Sequence, residues 1–165
     1  MKYLLDSNTY IQAKNFYYDM TFCPAYWHWL DLQFSKGHIA SIKSVYDELA
    51  DYGDDLTDWV KDRKDQFISV ADNATQEKYI EIVQYVYDLE NKNPVKVDNF
   101  LNKADLWLIA KACTTGADLV THEKRVAENS KDIKIPNICE VFGVGYLSTF
   151  QLLQELQTQF ILHIN

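Results

Sequence analysis

The stretch Met1-Lys2-Tyr3-Leu4-Leu5-Asp6-Ser7-Asn8-Thr9 decides the fold. Its apolar run is too short for an ordinary helix and is stopped by a carboxylate and three small polar residues, the pattern of a buried strand that ends at Asp6. Ligands of open α/β sheets gather outside the carboxyl ends of the strands. An acid placed there is either a turn or N-cap residue or the first member of a site.

Outward from that strand the chain alternates helix and strand. Thr9 to Asn15 reads as a short helix and Pro24 to Lys36 as a longer one, with Pro24 in a first turn and Gly37 as the stop. His38 to Ile42 reads as a second strand, Lys43 to Tyr52 as a helix interrupted at Gly53, Leu56 to Lys64 as further helix, and Gln66 to Val70 as a third strand. Tyr79, Ile82, Val83, Val86 and Leu89 recur at helical spacing across Thr75 to Glu90. Residues 91 to 99, rich in Asn and containing Pro94, read as a loop. Asn102 and Gly116 bracket a helix over Lys103 to Thr114, and Leu119-Val120-Thr121 reads as a fourth strand. Ile133 to Ile135, ended by Pro136, reads as a fifth strand, and Ser148 caps a final helix. Strands alternating with helices predict an α/β fold whose parallel sheet is covered on both faces.

The length of 165 residues predicts one domain, 1–165, with a core of its own. A hydrophobic fraction of 47% argues against disorder, and the lack of a long uncharged apolar run argues against a membrane span. The N-terminus begins on a strand with no sign of a signal peptide. Cys23, Cys113 and Cys139 are odd in number and form no C-x-x-C pair, which predicts free thiols in a reducing cytoplasm. The net charge of -8 is unlike the basic footprint of most nucleic-acid binders. A polyanion would need local cationic patches or a bound cation.

The predicted topology delivers four acids to one rim. Asp6 ends the first strand, Glu48 lies in the helix leaving the second, Asp105 opens the helix that returns to the fourth, and Glu123 follows the fourth. Helical phase sets Glu48 on the side of Val45 and Leu49 and turns Asp47 away, while Asp105 shares the inward face with Leu108 and Ile109. Inward carboxylates require a partner. With Arg63 and Arg125 the only arginines, a divalent cation is the economical one. Each acid alone also reads as a cap, a first-turn acid or a surface residue; only their convergence singles them out.

In order, Leu4-Leu5-Asp6-Ser7-Asn8, Val45-Tyr46-Asp47-Glu48-Leu49, Ala104-Asp105-Leu106-Trp107-Leu108-Ile109-Ala110 and Leu119-Val120-Thr121-His122-Glu123 resemble the acidic motifs of the PIN-domain nucleases, in particular the VapC-like toxins of toxin-antitoxin pairs. Ile135-Pro136-Asn137-Ile138-Cys139 resembles that family's last strand and its exit. The resemblance implies a three-layer α/β/α, Rossmann-like PIN fold with a mostly parallel sheet of four to five strands. It also implies a cytoplasmic endoribonuclease that uses one or two Mg²⁺ or Mn²⁺ ions held by Asp6, Glu48, Asp105 and Glu123. Ser7, Asn8 and Thr121 would orient ligands or waters, and the basic residues nearest the rim, Lys14, Lys43, Lys103, Lys124 and Arg125, with Lys124 and Arg125 foremost, would touch RNA phosphate. The implied partners are an RNA substrate and a small antitoxin; a homodimer is compatible with the family, a membrane is not. The family usually has Asp where Glu123 stands, and Asp51 to Asn99 departs from its compact pattern. The aromatics Tyr26, Trp27, Trp29, Trp59, Tyr79 and Tyr87 would suit an antitoxin surface over Pro24 to Lys36 and Leu56 to Glu90. The alternatives are an inert PIN-like interaction module and a nuclease acting on structured DNA.

Overall fold

In a computed structural model that describes residues 1–90 and 92–161, five parallel strands form one sheet in the order β3-β2-β1-β4-β5. They are β1 (Tyr3–Leu5), β2 (Ile39–Ile42), β3 (Phe67–Ile68), β4 (Asp118–Val120) and β5 (Tyr146–Leu147). The register pairs Leu4 with Ala40 on one side and Leu4 with Leu119 on the other. Tyr3, Leu4 and Leu5 are fully buried, as a central parallel strand covered on both faces requires.

The helices between β1 and β3 are α1 (Ser7–Gln12), continued by a π-helical turn over Ala13–Tyr17, then α2 (Pro24–Ser35), α3 (Lys43–Ala50) and α4 (Asp55–Lys61). Those after β3 are α5 (Asn73–Tyr87), α6 (Pro94–Leu101), α7 (Asp105–Thr115), α8 (Ile135–Phe142) and α9 (Thr149–Glu155). The strand order steps one way from β1 to β3 and the other way through β4 to β5. Right-handed crossovers therefore put α1–α4 on one face and α5–α8 on the other, giving three layers, while α9, beyond the last strand, sets Phe150 edge-on against Tyr17 of the π-helical turn with ring centroids 5.0 Å apart. Within the second group α5 and α7 run antiparallel: Thr75 meets Thr114 at 3.1 Å, and Tyr79 stacks on Trp107 with ring centroids 3.7 Å apart.

Several expectations are corrected. Ile133 to Ile135 is no strand; Ile135 opens α8 with Pro136 in its first turn, where a missing N–H costs nothing. The fifth strand is instead Tyr146–Leu147, which pairs with β4. Residues 94–99 of the expected loop belong instead to α6 (Pro94–Leu101), whose N-cap Asn93 accepts from the Val95 and Lys96 amides, with Pro94 at the first position. Asn102 ends α6 rather than capping α7. Asn91 of that loop, and His163, lie outside the described residues. Tyr26, Trp27 and Trp29 are buried and Trp59 packs against the core, so the aromatics of α2 and α4 build the interior. The exposed aromatics include Phe16, Tyr17, Phe22, Phe150 and Phe160, with Tyr87 alone of the expected set on the surface. All three cysteines are free, and no helix among the described residues is long and apolar enough to cross a membrane.

Candidate active site

Asp6 follows β1 directly and is the N-cap of α1. Its Oδ1 accepts the Thr9 amide at 2.8 Å and faces the Thr9 hydroxyl at 2.7 Å, while Oδ2 accepts the Thr121 hydroxyl at 2.7 Å. The Thr9 hydroxyl also lies 3.0 Å from the Val120 carbonyl. Having one proton to give, it serves only one of the two acceptors. Burial pushes the Asp6 carboxyl up to about 6; the Thr121 and Thr9 hydrogen bonds oppose the shift, and the Glu123 charge adds to it. The cap reading and the site reading of Asp6 therefore coexist in one side chain.

Glu48 reaches from α3 across the carboxyl edge of the sheet. Its Oε2 accepts the Ser7 hydroxyl at 2.6 Å, and its Oε1 accepts the Ala104 amide at 3.0 Å. Ala104, the N-cap of α7, has no side chain able to cap, so Glu48 supplies the anionic acceptor that a helix N-terminus favours. Glu123 does the same for α8. Its Oε2 accepts the Ile135 amide at 2.8 Å, and its Oε1 pairs with Lys134 at 3.3 Å. Its own amide is held by the Thr121 hydroxyl at 3.1 Å, so Thr121 links two of the acids.

Asp105, in the first turn of α7, has no such anchor. It is 8% exposed, and no donor reaches its carboxylate among the described residues. Burial pushes it up to about 7, and the charges of Glu123, Asp6 and Glu48 add to the shift while Lys103 opposes it. The mutual influence places all four acids in one electrostatic neighbourhood, with Asp105 at its centre. Asp105 and Glu123 face a cavity of about 310 Å³ that Lys96, Lys103 and Lys134 also line.

The remaining expected residues fall as follows. Ser7 and Thr121 donate to Glu48 and Asp6, whereas Asn8 is exposed on the first turn of α1. Lys124 is exposed, and Arg125 is turned into ion pairs with Glu140 at 2.8 Å and Glu128 at 3.9 Å, against a different cavity. Sequence reasoning missed Thr9, whose hydroxyl contacts Asp6, and Lys134, which pairs with Glu123; the i,i+3 spacing of Asp6 and Thr9 was a usable capping signal. Among the described residues no three His, Cys, Asp or Glu side chains converge tightly enough to hold a metal ion. The reason is visible in the contacts: Asp6, Glu48 and Glu123 spend their oxygens on protein donors. Chemically the donor set is nevertheless all hard oxygen, which suits Mg²⁺ or Mn²⁺. The unanchored Asp105 is the carboxylate with most to gain from a cation.

Residues 3–160 match the family described as a domain of unknown function (DUF4411). In fold the chain is similar to a chain of VapBC2 from Rickettsia felis, crystallised bound to a DNA fragment from their promoter. The TM-score is 0.53 and the identity 17%, with 90% of this chain and 98% of that chain covered. No curated protein matches the sequence.

Proposed function

We propose that this chain, which belongs to the DUF4411 family, is a metal-dependent endoribonuclease of the PIN kind and the toxin of a toxin-antitoxin pair. The observation that carries the reading is the placing of Asp6, Glu48, Asp105 and Glu123 along the carboxyl edge of one parallel sheet, with Asp105 unanchored and pushed up first by burial and then by the charges of the other three. The fold-level likeness to a chain of a VapBC complex supports the toxin role and an antitoxin partner.

In this reading Asp105, Asp6, Glu48 and Glu123 would hold Mg²⁺ or Mn²⁺ through their carboxylate oxygens. When bound, such an ion supplies a Lewis acid for the phosphodiester and lowers the pKa of a water that attacks phosphorus. Thr9 and Thr121 fix the Asp6 carboxylate, and Ser7 fixes Glu48, so the oxygen donors keep their orientation.

A mixed single-stranded RNA pool incubated with the full chain and Mn²⁺ tests the proposal. Cleavage should stop with chelator and with Asp105→Asn. An unchanged RNA pool, or cleavage insensitive to both, would refute it. A second reading, a PIN-like module without catalysis, draws on the hydrogen bonds that already occupy Asp6, Glu48 and Glu123. It predicts intact RNA under all conditions together with co-purification of the adjacent gene's product.

A further inference from the structure

The surface around this rim is uneven in charge, and the unevenness has a direction. Along α3 a second cavity is lined by Asp47, Glu48 and Asp51 with Lys103 as its one cation. Beyond the loop after β4 a third is lined by Glu90, Glu128, Asp132 and Glu140 against Lys92 and Arg125. Both carry a formal charge of -2, in a chain whose net charge is -8. A phosphate monoanion inside either one meets net repulsion. The 310 Å³ cavity at Asp105 and Glu123 differs: Lys96, Lys103 and Lys134 balance its Asp105, Glu123 and Asp132. A divalent cation at Asp105 makes this cavity cationic while the cavity beyond β4 stays anionic.

Its lysines are also placed to act. Lys103 stands in the turn between α6 and α7, two residues before Asp105, is exposed, and acts on the Asp105 carboxylate through its charge without a hydrogen bond to it. Lys134 lines the same cavity from the start of α8, 3.3 Å from Glu123. Lys96 reaches the same cavity from α6 and pairs with Asp132. By contrast Lys14 and Lys43, also near the rim in sequence, are taken up by Asp54 and Asp47. Lysine binds phosphate as a point charge without demanding bidentate geometry, which suits a backbone that must be gripped regardless of base sequence.

We propose that this cavity is the seat of an RNA backbone phosphate next to the one cleaved, gripped by Lys103 and Lys134, so that the strand enters the acidic rim from the α6 side. The proposal rests on the ribonuclease reading and names where its substrate lies.

The test is fluorescence anisotropy of the full chain with a labelled, non-cleavable 2′-O-methyl single-stranded oligonucleotide in Mg²⁺, titrated at several salt concentrations. Lys103→Ala should weaken binding about 5- to 10-fold, and the slope of log K against log salt should shrink by about 0.7, the value for one lost phosphate contact on a single strand. Lys134→Met should lower the slope by a similar step. Lys103→Arg should restore most of the affinity where Lys103→Gln does not. Lys36→Ala, at the end of α2 beside the opposite edge of the sheet, should leave affinity and slope unchanged. Parental affinity and slope in both the Lys103→Ala and Lys134→Met variants, or no binding by the parent, would overturn the proposal. Failure of the parent to cleave RNA in Mn²⁺ defeats the ribonuclease reading itself, whereas cleavage by the parent with unaltered variants defeats only this assignment.

Discussion

Asp105→Asn should make the metal-free protein more stable at pH 8. The unfolded carboxyl titrates near 3.8, the folded one at about 7. Below pH 4 both states hold the proton and Asp105 costs nothing. Between pH 4 and 7 the unfolded chain has released the proton that the folded chain retains, so stability falls as pH rises; above 7 the loss is complete. Three pH units at ~1.4 kcal/mol each give a penalty of about 4 kcal/mol at pH 8. An Asn amide removes the charge but finds no partner in the same place, which returns about 1–2 kcal/mol. The net gain of about 2–3 kcal/mol corresponds to a rise in Tm of about 5–10 °C for a domain of this size. Thermal unfolding of parent and variant in chelator, at pH 5 and pH 8, measures it: the gap should be wide at pH 8, narrow at pH 5, and close at pH 8 when saturating Mn²⁺ stabilises only the parent. A gap equal at both pH values, or a variant less stable at pH 8, would refute the reasoning.

Thr121→Val removes the donor to Asp6 Oδ2 and the acceptor of the Glu123 amide. It should cost about 1–3 kcal/mol, more at pH 8 than at pH 5 because an ionised Asp6 needs the donor most; chemical denaturation at the two pH values reads the difference. Glu123→Gln keeps an acceptor for the Ile135 amide and Glu123→Ala does not, so the former should cost less than ~0.5 kcal/mol and the latter about 1 kcal/mol by urea unfolding. Lys92→Met withdraws an ammonium that donates to the Ser130 carbonyl at 2.8 Å and to those of Glu128 and Asp132 at 3.3 Å. Amide exchange in residues 126–134 should quicken at least tenfold, with the central strands unaffected. Gly145→Ala puts a Cβ into the Asp118 carboxylate at the start of β4 and should destabilise by about 1–2 kcal/mol, read by Tm.

The carboxyl edge was legible in the sequence because its physics is local. A short apolar run stopped at Asp6 can only be a buried strand end, and Val45 and Leu49 fix the phase that half-buries Glu48 and exposes Asp47. The inward face of α7 likewise fixed Asp105. What stayed hidden depends on partners distant in sequence. Tyr146–Leu147 is too short for a strand period to register, whereas Ile133-Lys134-Ile135, two β-branched residues alternating with a lysine before a proline, imitates a strand end although Ile135 and Pro136 begin a helix. Glu123 reads as a loop acid until α8 is seen resting on its carboxylate, and Lys134, eleven residues on, shows its role only when the loop folds back. The aromatics of α2 looked surplus to one core face because the sequence does not show how deeply that layer is buried.

Calorimetric titration of the full chain with Mn²⁺ in several buffers, at pH 6 and again at pH 9, bears most directly on the claim that these acids form a cation seat centred on Asp105. Folded Asp105 and Asp6 titrate at about 7 and about 6, so Mn²⁺ bound at pH 6 must displace protons that are already gone at pH 9. The account predicts saturable binding that releases between about one and two protons at pH 6 and close to none at pH 9, and that Asp105→Asn abolishes. Absence of saturable binding at both pH values, or binding by Asp105→Asn with parental affinity, would contradict it.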